Sequence, residues 1–174
     1  MLTPASSHAF RAARCGLLTM AVAAASFAAP AAAQTSGGAG CAATETMRGG
    51  RNNFVPNAPL VDNLGRGFVV SGTVRRAGTC EGLGNVRVQI WTATERGGEG
   101  EASNRGSVMT KADGTFRLET SPVVPNFGQA HIHMSYDDPG FETVFLRPLL
   151  GSRNDTSIKV DFNLAPSADA QPRS

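Results

Sequence analysis

The sequence predicts an all-β fold, a single β-sandwich of about seven strands. Three observations carry this. Short runs rich in β-branched and aromatic residues recur between Phe68 and Leu164. Glycine, proline and Asp-Gly turns separate them at close spacing. No segment sustains the 3.6-residue apolar period of a helix, and no internal repeat is present.

Regular structure begins at Phe68, and Phe68 to Arg75 reads as the first strand. A turn region from Arg76 to Asn85 follows. The second strand, Val86 to Ala93, alternates Val86, Val88 and Ile90 against Arg87, Gln89 and Trp91. Glu95 to Gly106 is a glycine-rich polar loop. Ser107 to Thr110 and Thr115 to Glu119 flank Asp113-Gly114, a strong hairpin signal. Ser121 to Gly128 contains two prolines and reads as a loop. Gln129 to Tyr136 is a strand, Asp137 to Gly140 a turn, and Phe141 to Arg147 and Ser157 to Leu164 the last two strands. The sandwich is placed at residues 52–164, entered by an extended segment up to Gly67. A polar tail, 165–174, is expected to be disordered.

The N-terminal third reads differently. Arg11 and Arg14 precede a short apolar run from Gly16 to Ala29, and Ala31-Ala32-Ala33 stands before Gln34. This order predicts a secretory signal peptide over residues 1–33, cleaved after Ala33, and a periplasmic or secreted protein. The run is short for a membrane span, so no stable membrane insertion is expected after cleavage. Residues 34–51, rich in Gly, Ala, Ser and Thr, are expected to form a flexible arm. Two cysteines, Cys41 and Cys80, survive cleavage. They form one disulfide or stay as two thiols; export favours the disulfide.

Charge excludes one class of function. Of 16 basic residues the signal removes Arg11 and Arg14, leaving 14 against 14 acidic ones. No basic stripe remains to bind nucleic acid.

The chemistry concentrates in Gln129-Ala-His-Ile-His-Met134. His131 and His133 are two of only three histidines, the other being His8. On a strand, positions i and i+2 share a face about 6.5 Å apart, so both imidazoles can reach one metal ion. Ala130, Ile132 and Met134 then point into the core. Tyr136, the single tyrosine, shares their parity.

Three blocks in order resemble the core of the intradiol ring-cleavage dioxygenases, the catechol and protocatechuate dioxygenases. Ser71-Gly-Thr-Val74 with Gly84-Asn-Val-Arg-Val-Gln-Ile-Trp91 resembles the family's first strand pair. Arg105-Gly106 with Thr110-Lys-Ala-Asp-Gly-Thr-Phe116 and Thr120-Ser-Pro122 resembles its central hairpin. Ala130-His-Ile-His-Met134 with Gly140-Phe-Glu-Thr143 resembles its metal strand and return strand. The likeness covers about residues 66–164. It implies a non-haem iron site and cleavage of a small catechol-like aromatic by O2. The family's two histidine ligands carry over onto His131 and His133. Its two tyrosine ligands do not. Counting from Trp91 through Gly97, the first falls on Glu99; the second falls in Val123-Val-Pro-Asn-Phe127. The family's substrate-handling arginine falls on Gly128, and its usual proline on Gln129.

Three readings follow. A divergent oxygenase would bind iron through Glu99, His131 and His133, a two-histidine, one-carboxylate set suited to Fe(II). A non-catalytic exported module would use the same site for copper or zinc, or bind a partner. A structural sandwich would carry the histidines incidentally. Glu99 itself is either a ligand or a solvated loop carboxylate. Trp91 reads as core, Asp137 and Asp138 as turn residues, and Arg105 as a loop arginine. The sequence assigns no catalytic residue and no oligomeric state.

Overall fold

Residues 41–168 are described by the computed structural model. The expected signal peptide, the start of the arm and the end of the tail lie outside the described residues.

Among the described residues, eight strands build two sheets. In chain order they are β1 (Phe68–Arg76), β2 (Arg87–Thr92), β3 (Arg105–Met109), β4 (Thr115–Thr120), β5 (Ile132–Tyr136), β6 (Val144–Leu146), β7 (Ser157–Lys159) and β8 (Phe162–Leu164). One short 3-10 turn, Ala102–Asn104, precedes β3. The first sheet runs β4-β1-β7, with β8 also on β1; the second runs β3-β2-β5-β6. The all-β sandwich is therefore as the sequence predicts.

The core lies between the sheets. Val70, Val74, Leu118 and Phe162 of the first face Ile90, Ile132 and Met134 of the second, and all are almost wholly buried. Their spacing by two is the strand period that exposed the pattern in the sequence. Tyr136 belongs to this core, and its hydroxyl donates to the Pro139 carbonyl at 2.9 Å.

Three expectations need correction. Asp113-Gly114 does not close a hairpin, because β3 pairs with β2 and β4 with β1. The turn is local: Gly114 N–H donates to Lys111 O and Lys111 N–H to Thr115 O. Beyond it the strands part into different sheets, since Thr115 onward pairs with β1 from Thr73 to Phe68. Nor are β1 and β2 a strand pair; they lie in opposite sheets. The expected strand Ser157 to Leu164 is broken at Val160-Asp161 into β7 and β8. There the Val160 carbonyl passes over Gly72 so closely that a Cβ at Gly72 would sit 1.8 Å from its oxygen. Thr73 N–H turns to the Asp161 carboxylate at 2.8 Å instead of a ladder carbonyl.

Residues 41–44 run along β8 at the edge of the first sheet, where Thr44 N–H donates to Asn163 O. Residues 47–61 cover the outer face of the second sheet, where Met47 N–H donates to Phe145 O and Ser107 N–H to Pro59 O. Phe54 packs edge-on against Phe145 at 4.9 Å and tilted on Trp91 at 5.9 Å. The stretch expected as a flexible arm thus includes residues hydrogen-bonded along the sheet. A disulfide joins Cys41 to Cys80 across a sequence separation of 39. By constraint of the unfolded chain such a cross-link contributes about 4 kcal/mol.

Candidate metal centre

Strand parity and the cover together make the site. On β5 and the bridge residue before it, His131, His133 and Ser135 alternate with the core residues and point outward from the sandwich. They are nevertheless buried, at 3% exposure for His131 and 0% for His133, because the arm lies over them. Trp91, opposite His133 in the β2–β5 register, stacks on its ring at 5.1 Å and 10°. Its indole N–H donates to Asn52 O at 2.8 Å. Trp91 is buried as expected, but under the arm rather than between the sheets.

Glu99 comes from the loop after β2, and it is buried at 4% exposure. The solvated alternative does not hold. The loop carries three glycines, Gly97, Gly98 and Gly100, yet it is stapled from the chain that follows. Thr94 and Gly97 exchange backbone hydrogen bonds at 3.0 Å. Buried Asn104 donates through Nδ2 to Gly97 O at 2.8 Å and Gly98 O at 3.1 Å, and accepts from the Thr94 hydroxyl at 2.9 Å. Arg105, also buried, holds the Gly100 carbonyl. Asn104 and Arg105 therefore position the carboxylate, a role the sequence does not announce. Asp137 and Asp138 lie away from the site and pair with Arg87, at 3.6 and 2.9 Å.

The result is a cluster in which Glu99, His131 and His133 each offer a ligand atom within 4.8 Å of the others. Glu99 Oε1 is 2.7 Å from His131 Nε2, and Oε2 is 3.2 Å from His133 Nε2. The tautomer of His133 follows from the far side of its ring. His133 Nδ1 faces Gly50 O at 3.0 Å. A carbonyl only accepts, so this Nδ1 carries hydrogen, and in the neutral ring Nε2 carries a lone pair that faces the carboxylate. His131 Nδ1 lies between an acceptor, Gln129 O at 2.7 Å, and a donor, Arg147 Nη2 at 3.4 Å. His133 Nε2 has no hydrogen-bond partner among the described residues.

Such a site suits a cation. A proton on His133 is disfavoured: burial pushes that imidazole below its ordinary value, against the opposing pull of Gly50 and Glu99, and His131 and Arg147 add to the lowering. Burial would raise Glu99, but hydrogen bonds from Asn126 and Asn53, joined by the two imidazoles whenever they carry a proton, outweigh it and hold the carboxyl low. Asn53 donates to Oε2 at 2.9 Å. A metal fits. Ligands about 2.0–2.1 Å from one ion stand roughly 2.9–3.4 Å apart in octahedral or tetrahedral arrangements, close to the separations here. Backbone carbonyls on the distal nitrogens are the usual outer support of metal-bound histidine.

A cleft of about 310 Å3 opens beside the cluster, lined by Asn52, Asn53, Glu99, Phe127, His131 and Arg147. Phe127, in the segment matching the second tyrosine, is 93% exposed at its rim. No tyrosine lies in this lining.

The sequence matches no protein-family model and no curated protein. Solved structures do match. The dioxygenase domain of a dioxygenase–carbohydrate-binding fusion from Streptomyces sp. SirexAA-E superposes with a TM-score of 0.57 at 22% identity, over 72% of this chain and 99% of that one. Hydroxyquinol 1,2-dioxygenase from Pseudomonas putida DLL-E4 gives 0.54 at 18% identity, over 73% and 68%. Chlorocatechol 1,2-dioxygenase from Pseudomonas putida gives 0.50 at 16%, over 64% and 68%. The chain thus has an intradiol dioxygenase-like fold.

Proposed function

We propose that this is an exported mononuclear non-haem iron protein that acts on a small catechol-like aromatic. His131 and His133, through Nε2, and the Glu99 carboxylate hold the ion. One observation carries the reading: two buried imidazoles converge through Nε2 on a buried carboxylate, and His133 Nε2 has no hydrogen-bond partner among the described residues. Two nitrogens and a hard anionic oxygen suit Fe(II) and leave coordination positions open. When bound, iron would supply oxygen activation.

The chain's own residues do the rest. Asn53 and Asn126 keep Glu99 ionised and oriented. Arg147, half-buried in the cleft, offers donors to the oxygens of a bound aromatic diol. Phe127 at the rim offers a ring face. Since no tyrosine stands at the site, no tyrosinate is available as a base, and the usual intradiol route is expected to be slow. Export rests on the order of basic residues, apolar run and Ala-x-Ala in the sequence. The Cys41–Cys80 bond agrees with an oxidising compartment.

The test is metal analysis of the mature protein, followed by O2 uptake with catechol after anaerobic Fe(II) loading. Stoichiometric iron with catechol-dependent uptake supports the proposal. Copper or zinc without turnover would leave a metal-binding module, and absence of any bound metal would overturn the reading.

A further inference from the structure

Two groups in the metal cluster's outer support come from the arm. Gly50 gives the carbonyl that orients His133, and Asn53 gives the amide that orients Glu99. Asn52 adds the carbonyl that anchors Trp91 against His133. Gly50 lies so near β6 that a Cβ there would stand 2.7 Å from the Phe145 backbone. The arm is therefore laid tightly on the sheet at Gly50, where it meets His133.

Beyond Gly50 the arm is hinged on the sheet by Phe54 against Phe145 and Trp91, buried Ala58, and Pro59 bonded to Ser107, whereas before Gly50 little holds it. Residues 41–49 are exposed or half-buried. Their contacts are hydrogen bonds at the rim, such as Thr44 to Asn163, Asn163 to Ala42, and Phe145 to Thr46. Exposed hydrogen bonds trade readily with water, and segments that bury little apolar surface open locally. The one covalent restraint is the Cys41–Cys80 bond, nine residues before Gly50.

We propose that the arm is a strap completing the metal site, and that the Cys41–Cys80 disulfide holds it shut, so that metal retention depends on the oxidation state of this pair. The inference rests on the metal reading above. With the bond intact, Gly50 and Asn53 stay on their partners. With it reduced, the strap opens, His133 loses its orienting carbonyl, Glu99 loses its amide, and the site binds metal weakly. Tight loading then belongs to an oxidising compartment.

The experiment compares cobalt(II) affinity in the oxidised mature protein, the Cys41→Ser/Cys80→Ser variant, and oxidised protein treated with a water-soluble phosphine. In that treatment one S–S bond breaks and phosphorus gives up two electrons. Water supplies the oxygen of the phosphine oxide and the two thiol protons. Trp91, the single tryptophan, reports the strap independently of metal, because it is buried beneath it. Expected is a loss of roughly 10- to 100-fold in affinity, the usual effect of removing outer support, with red-shifted Trp91 emission in the apo protein. Asn53→Ala with the disulfide intact should lose affinity while Trp91 emission stays put, and this variant serves if the serine pair fails to fold. Cobalt bound equally tightly with and without the disulfide overturns the coupling and leaves the metal reading standing. Unchanged affinity in Asn53→Ala removes Asn53 as a positioning residue. No cobalt binding by the oxidised protein overturns the metal reading, and the coupling with it.

Discussion

The outer faces of the two sheets are built alike and end differently. On the first sheet, Ser71, Thr73 and Arg75 of β1, with Arg117 and Glu119 of β4, face outward and are partly exposed. On the second, Gln89, Trp91, His133 and Phe145 occupy the equivalent outward positions and are buried. Nothing in the strand geometry distinguishes them. The difference is the segment over residues 47–61, which removes water from one face only. Desolvation makes the Glu99 carboxylate and two imidazoles a candidate metal site, whereas the charges on the open face remain screened.

Changes on the covered face should therefore be costly, beginning with the ligands. His131→Ala/His133→Ala should abolish stoichiometric metal binding, measured by calorimetric titration, since one carboxylate cannot hold the ion alone. Glu99→Gln should weaken binding beyond the roughly 10- to 100-fold typical of an outer partner. Full metal retention in the double variant would place the site elsewhere.

Trp91→Ala tests whether the cover has a packed interior of its own. Truncating a fully buried tryptophan should cost about 3–5 kcal/mol in urea unfolding. A loss below about 1 kcal/mol, typical of an unpacked surface site, would mean that the arm shields Trp91 without packing on it.

Acid should separate the faces more gently. His133 is held below its ordinary value of about 6.5, so the folded state prefers it neutral. Its contribution is full above that value and is lost as pH falls through the lower folded value. Glu99 acts in the same direction: held below 4.5, its contribution is present above that value and lost as pH falls through the folded one. Metal-free protein should lose stability between pH 7 and pH 5, and His133→Gln should flatten that slope. An equal slope in the variant would assign the acid sensitivity to other groups.

The smallest effect belongs to the open face. Lys159 is 69% exposed and stands 3.5 Å from Asp161. Lys159→Ala should change stability by less than about 0.5 kcal/mol, since such pairs are solvent-screened. A loss above 1 kcal/mol would show that this face, too, carries an organised network.

Much of the fold was legible locally, because strand alternation is a nearest-neighbour property. Val88 and Ile90 against Gln89 and Trp91, and Ile132 and Met134 against His131 and His133, state their faces by parity alone. Asp113-Gly114 stated its turn equally well, but a turn does not specify which sheet receives the next strand. That choice lies in the pairing of Thr115–Thr120 with Phe68–Thr73, a long-range match with no local mark. The break at Val160 was hidden for the same reason, since it depends on Gly72 far back in the chain.

By itself, the sequence determined the all-β class, the parity that aims two imidazoles at one point, and the absence of tyrosine at both matching positions. Only the tertiary structure decided that Glu99 meets those imidazoles instead of water. Its loop is polar and glycine-rich, without periodicity, and its place depends on Asn104 and Arg105 gripping it from behind. The burial of the site was likewise a tertiary decision. The residues that cover it are mostly exposed themselves and bury little of their own surface, so their sequence has no apolar pattern to betray them.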